Sequence, residues 1–118
     1  MFVKICGIAN REDALAVAKL APDALGFIFW PDSPRGVTAD QVAAWTPLLP
    51  SSISKVGVFV SPTPAEVTRT VHHAGLDVVQ LHQVALGVLL EGQRTGAVAL
   101  VAPAVEPGLH QRVEGVGA

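Results

Sequence analysis

The sequence predicts an α/β fold built from parallel βα units. Short β-branched apolar runs alternate with longer helical patterns in the order β-α-β-α-β-α-β. The runs are apolar at consecutive rather than alternate positions, as in strands covered on both faces by other elements. Candidate strand starts at residues 2, 23, 54 and 77 make the βα unit itself the repeat.

FVKIC (2–6) reads as the first buried strand. Asn10 then offers an N-cap oxygen with Asp13 three residues on, opening a helix whose Ala14, Val17, Ala18 and Ala21 form one stripe and which Pro22 ends. DALGFIF (23–29) is the second strand. The loop WPDSPRGV and a helix from about Thr38 to Leu49 follow it. SKVGVFV (54–60) is the third strand, and in SPTPAEV the cap is Thr63, the first helical position Pro64, and the residue closing a capping box Glu66. That helix is expected to run to His73 or Ala74, before the fourth strand, DVVQL (77–81).

After His82 the chain is rich in Val, Gly, Ala and Leu and its helical periodicity is poor. Residues 84–94 make at best a weak helix, since Gly87 and Gly92 each cost about 1 kcal/mol relative to Ala. GAVALVAP (96–103) fits a fifth strand, and a loose tail is expected from Pro103 on.

Composition narrows the function classes. Of 118 residues, half are hydrophobic and 15% are charged, which is a globular balance with a core to bury. A net charge of −2 supplies no basic field for nucleic acid or anionic lipid. No run approaches the ~18 consecutive apolar residues of a membrane span. Met1 leads straight into a strand-like segment, so no signal peptide is expected, and a lone cysteine fits a reducing cytoplasm. No zinc, calcium or P-loop spacing is present, and no G-x-G-x-x-G, so neither a metal nor a nucleotide cofactor is expected. His72 and His73, adjacent on a helix, face different directions and do not make a metal site.

Strand parity singles out the candidate site. Side chains alternate along a strand, so Lys4 and Cys6 share one face of FVKICG while Val3 and Ile5 share the other. In VVQLH the same rule puts Gln80 with His82, opposite Val79 and Leu81. Polar residues of two strands thus gather on one face toward the C-terminal strand ends, where ligands collect in parallel α/β folds. Cys6 has two readings: a general base or nucleophile whose thiolate is favoured by nearby positive charge such as Lys4, or a small apolar residue that fills space. Arg35 sits in a loop stiffened by Pro31 and Pro34. Its planar fork suits a carboxylate or phosphate, and a surface pair with Asp32 is the alternative. His82 is placed to titrate, orient a ligand or hydrogen-bond near the mouth.

Taken in order, VKICGIANREDA, PDALGFIFWPDSPRGV, VGVFV and DVVQLH resemble the phosphoribosylanthranilate isomerase family of tryptophan biosynthesis, over about residues 3 to 82. The resemblance implies a (βα)₈ TIM barrel that uses no cofactor and carries out an Amadori rearrangement of N-(5-phosphoribosyl)anthranilate, a small phosphorylated substrate. It also implies that Cys6 is the general base, that Arg35 binds the anthranilate part, and that Gln80 and His82 line the mouth.

The chain departs from that pattern in its last third. The family's general acid is an aspartate at the end of the sixth strand, and no aspartate follows Asp77 here. Closed barrels of this type take ~250 residues and build their phosphate grip after strands seven and eight. The expectation is therefore an incomplete half-barrel of four or five strands over residues 1–82, with 83–118 a divergent, weakly structured segment. A truncated or frame-shifted gene product, weakly active or inactive, is the expected origin. Open sheet edges predict a homo-oligomer or pairing with a complementary half-barrel. The alternative function is a catalytically silent βα domain that self-associates.

Overall fold

A computed structural model of the protein describes residues 1–82 and the backbone of a strand at 98–102. The elements are β1 (Lys4–Cys6), α1 (Arg11–Ala18), β2 (Ala24–Ile28), α2 (Ala39–Trp45) with a 3₁₀ turn at Thr46–Leu48, β3 (Ser54–Val60), α3 (Pro64–Ala74), β4 (Val78–His82) and β5 (Val98–Ala102). The strands form one sheet in the order β1-β2-β3-β4-β5, every pair parallel. This is the predicted run of βα units, and the fifth strand falls inside the predicted GAVALVAP segment. The expected weak helix at 84–94 and the tail from Pro103 lie outside the described residues.

Alternation along the strands separates two faces. Ile5, Leu25, Phe27, Phe59, Val79 and Leu81 pack with Ala14 of α1, Val42 and Trp45 of α2, and Val67, Val71 and Ala74 of α3. Within that layer the rings of Phe27 and Trp45 lie 6.3 Å apart at 44°. The other face carries Lys4, Cys6, Ala24, Gly26, Val56, Val58 and Gln80. Ala24, Val56, Val58 and Gln80 are buried there too, so the central strands are covered on both sides, as their unbroken apolar runs require.

One bond measures the curvature of the sheet. Three strand spacings of about 4.8 Å would hold β1 and β4 roughly 14 Å apart in a flat sheet. Lys4 Nζ nevertheless donates to Gln80 Oε1 at 2.6 Å. The sheet curls toward this face as an arc of a barrel wall, open at β1 and β5 among the described residues.

Helix boundaries differ from the sequence reading where backbone chemistry intervenes. α1 stops at Ala18 with Lys19 as its C-cap, and Ala21 is exposed in the left-handed region at φ 53° instead of continuing the stripe. Pro22 disfavours helical geometry in the residue before it, so the chain turns early. α2 ends at Trp45 and tightens into a 3₁₀ turn containing Pro47, whose missing N–H and bulky ring break the α-helical ladder. α3 ends as predicted at Ala74. Gly75 adopts φ 70°, and Leu76 N–H returns 3.1 Å to Val71 O, a left-handed cap that only a glycine takes without strain.

The caps follow the sequence with one exchange. Asn10 Oδ1 accepts from Asp13 N–H at 2.8 Å, and Thr63 Oγ1 accepts from Glu66 N–H at 3.2 Å. The reciprocal bond expected from Glu66 is found instead in α2. There Gln41 Oε1 accepts from Thr38 N–H at 2.9 Å while Thr38 Oγ1 accepts from Gln41 N–H at 3.2 Å. β4 starts one residue later than predicted and takes in His82, which stands in register with Val60.

Candidate functional site

The C-terminal ends of β1, β2 and β4 gather the sequence-predicted residues. Cys6 closes β1 and is partly buried, a free thiol in register with Gly26. A Cβ at Gly26 would lie 2.8 Å from Cys6 Sγ, so the sulfur occupies the space that any side chain on β2 would fill. It belongs to the Lys4 face, opposite the helix-packed Ile5.

Gly7 turns the chain out of the sheet at φ 84°, a conformation costing a residue with a Cβ roughly 1–2 kcal/mol. Its N–H and that of Ile8 both donate to Gly26 O, at 3.0 and 3.1 Å. The Arg35 guanidinium packs directly on the bare Cα of Gly7. A Cβ there would stand 2.6 Å from Cζ and 2.9 Å from Nε, and would collide with Nη1. Arg35 therefore reaches from the loop after β2 to the residue that follows Cys6.

That loop is held by its own backbone. Ser33 N–H donates to Trp30 O at 3.0 Å, Gly36 N–H to Ser33 O at 3.0 Å, and Val37 N–H to Ile28 O at 2.9 Å. Arg35 N–H adds a bond to Ser33 Oγ at 3.2 Å. Gly36 is required for closure, because a Cβ at that position would come within 2.5 Å of Trp30 O.

On β4, Gln80 is 4% exposed and His82 is partly buried; Gln80 Nε2 lies 3.4 Å from His82 Nε2. The backbone of His82 is pinned by Ser61, whose N–H donates to His82 O at 2.9 Å from a left-handed φ of 47°. Lys4, 9% exposed, ties this pair to β1. The structure thus brings Arg35 onto Gly7, the residue after Cys6, and Gln80 beside His82, with Lys4 of β1 bonded to Gln80.

Sequence reading placed Lys4 on this face but gave it no partner on β4, since nothing local to either strand reports how far a sheet curls. Gly7 and Gly26 were also missed as packing partners of Arg35 and Cys6. Their signal is a glycine directly after, and directly opposite, the cysteine. Among the described residues no group of three His, Cys, Asp or Glu side chains is placed to hold a metal. His73 Nε2 instead meets Asp40 Oδ1 at 2.6 Å on the outer helical layer.

Chemically, the arrangement offers a thiol that can, as its thiolate, give an electron pair to a proton or a carbon, and a planar cation that can hold a carboxylate, the one preceding Gly7 and the other packed on it. Amide and imidazole groups wait farther along the same face. No helix among the described residues is long and apolar enough to cross a membrane.

A family model described as N-(5'phosphoribosyl)anthranilate (PRA) isomerase matches residues 3–96, past the point where the sequence resemblance was expected to stop. The N-(5'-phosphoribosyl)anthranilate isomerase of Trichormus variabilis is 50% identical over 82 residues, which are 70% of this chain and 39% of that protein. The phosphoribosyl anthranilate isomerase of Thermus thermophilus superposes with a TM-score of 0.78 at 35% identity, covering 92% of this chain and 53% of that one. A phosphoribosyl anthranilate isomerase solved with reduced 1-(o-carboxyphenylamino)-1-deoxyribulose 5-phosphate gives a TM-score of 0.77 at 33% identity, over 87% of this chain and 52% of that one. The chain thus spans about two fifths of the length of the curated relative and about half of each solved structure.

Proposed function

The chain belongs to the phosphoribosylanthranilate isomerase family, and on that premise we propose that it carries the base and carboxylate-binding half of the isomerase site. The supporting observation is the packing of Arg35 on Gly7, the residue after Cys6. It sets a guanidinium and a thiol at one strand end, which supports reading them as the carboxylate grip and the proton acceptor for an aryl-amino sugar.

In the proposed reaction Arg35 takes the anthranilate carboxylate and fixes the substrate. An acid protonates the ribose ring oxygen. The C1′–O bond breaks, and the nitrogen lone pair forms an iminium at C1′. The Cys6 thiolate then removes the proton from C2′, and the released electron pair forms the C1′–C2′ double bond as the iminium is neutralised. Tautomerisation of that enol gives the aminoketose. Gln80 and His82 line the mouth, and no cofactor enters any step.

The acid is the part these residues do not supply, since no aspartate follows Asp77 in the 118 residues. It comes from further polypeptide, either continuous with this chain or a complementary half. Little or no turnover is expected of the 118 residues alone, and the cytoplasm, where the aminosugar phosphate would be made, is the proposed location. Residues 1–82 carry the isomerase-like half and 83–118 the divergent segment. The open edge at β1 supports a second reading, a silent βα domain that associates with itself or with a complementary half through free strand edges.

The decisive assay follows conversion of N-(5-phosphoribosyl)anthranilate by the purified protein, alone and mixed with the later βα units of a full-length relative. Turnover that appears on mixing and vanishes in Cys6→Ser supports the isomerase half. Turnover indifferent to Cys6→Ser removes the assigned base, and no turnover in either arm leaves the silent domain as the function.

A further inference from the structure

The two tryptophans have opposite fates. Trp45 is 8% exposed, locked into the helical layer against Phe27, while Trp30 is 39% exposed immediately after the C-terminal end of β2. An indole with two fifths of its surface open at the C-terminal end of a parallel sheet leaves part of its burial gain unused, and partly open apolar faces of this kind line small-molecule sites. Its loop does not let it drift. Trp30 O accepts from Ser33 N–H, and the chain doubles back so tightly that Gly36 faces Trp30 O with no room for a Cβ. Trp30 and Arg35 therefore stand on the two limbs of one closed turn, and the guanidinium of Arg35 ends on Gly7, the residue after Cys6.

We propose that Trp30 is the platform on which the aromatic ring of an aryl carboxylate stacks while Arg35 takes its carboxylate. The inference rests on the reading of Arg35 given under the proposed function. It assigns Trp30 as a positioning and specificity residue: the indole favours a flat ring over a saturated one and sets the angle at which the amino nitrogen leaves the ring toward Cys6. Fixing the ring and its carboxylate at two points on one rigid loop leaves the attached sugar as the mobile part of the substrate, swung over the thiol.

The experiment is calorimetric titration of the full chain with 2-aminobenzoate and with cyclohexanecarboxylate, for the wild type, Trp30→Ala, Trp30→Phe and Arg35→Met. Emission of the buried Trp45 reports folding of each Trp30 variant. Trp30→Ala is expected to weaken 2-aminobenzoate about fivefold or more, Trp30→Phe about twofold, and cyclohexanecarboxylate to bind weakly to every variant without responding to position 30. Equal affinity of Trp30→Ala and wild type for 2-aminobenzoate, with binding lost in Arg35→Met, overturns the platform and leaves the carboxylate grip standing. Binding unchanged in Arg35→Met, or no binding by the wild type at millimolar ligand, overturns both.

Discussion

Lys4 on β1 and Gln80 on β4 are joined by a 2.6 Å hydrogen bond that passes over two intervening strands. Both side chains are buried, so the bond acts in a medium where losing one partner costs more than the pair contributes. Lys4→Met is expected to destabilise the fold by about 1–3 kcal/mol, with Gln80→Leu in the same range. The double variant should recover part of the loss, giving a coupling of about 1 kcal/mol in urea unfolding. Strict additivity would show that the bond does not form in solution.

Gly7 is the position least able to accept a side chain. Gly7→Ala combines left-handed strain with displacement of the Arg35 guanidinium, so a loss of about 1–2 kcal/mol from backbone strain alone is expected, and more once packing is included. Gly75→Ala, at φ 70° but with only Thr46 Oγ1 close by at 3.3 Å, should lose the backbone part alone. Paired thermal melts that rank the two variants equally would refute the packing contribution of Arg35.

Each helix start rests on one side chain. Asn10→Ala, Thr38→Ala and Thr63→Ala should each lower the urea midpoint by the equivalent of about 1 kcal/mol. Asn10→Ala should cost the most, since its Nδ2 also donates to Asp13 Oδ2 at 3.1 Å, whereas Thr38→Ala keeps the backbone N–H that donates to Gln41 Oε1. The same ranking is expected in amide exchange of the first turn of each helix.

Burial separates two leucines of similar chemistry. Leu25→Ala, at a fully buried position of β2, is expected to cost about 2–5 kcal/mol. Leu48→Ala, half exposed in the 3₁₀ turn, should stay within about 0.5 kcal/mol of wild type. Chemical denaturation of both variants checks the core assignment without reference to function.

Most of the fold was legible because its signals are local. The β3 run matches its strand residue for residue, since seven consecutive apolar-compatible positions bounded by a turn admit no other element of that length. The side-chain acceptors Asn10 and Thr63 were readable as caps, and Thr38 as the start of its helix, because an N-cap needs only the residues within one turn. Parity was enough to put Lys4, Cys6, Gln80 and His82 on one face. What could not be read was distance across the sheet: whether Lys4 reaches Gln80 depends on curl, which no short stretch encodes. Arg35 was singled out from its fork and its stiff loop, with anion binding and a surface pair with Asp32 as its two readings, yet its seat on Gly7 is a contact between residues far apart in sequence. The mistaken capping partner in α3 has a similar cause, as Glu66 stands at the right spacing but spacing does not fix its rotamer.

Sequential strand order has a consequence for how the molecule is made. Each strand pairs with the one just before it, so β1 has met its only described neighbour once β2 exists, and the sheet can be laid down in the order of synthesis. The Lys4–Gln80 bond is the exception, since it cannot form until the fourth strand is in place. A nascent chain would therefore keep that ammonium solvated through the addition of β2 and β3, and its withdrawal from water on the arrival of β4 would mark the moment at which a growing ribbon becomes a curved wall.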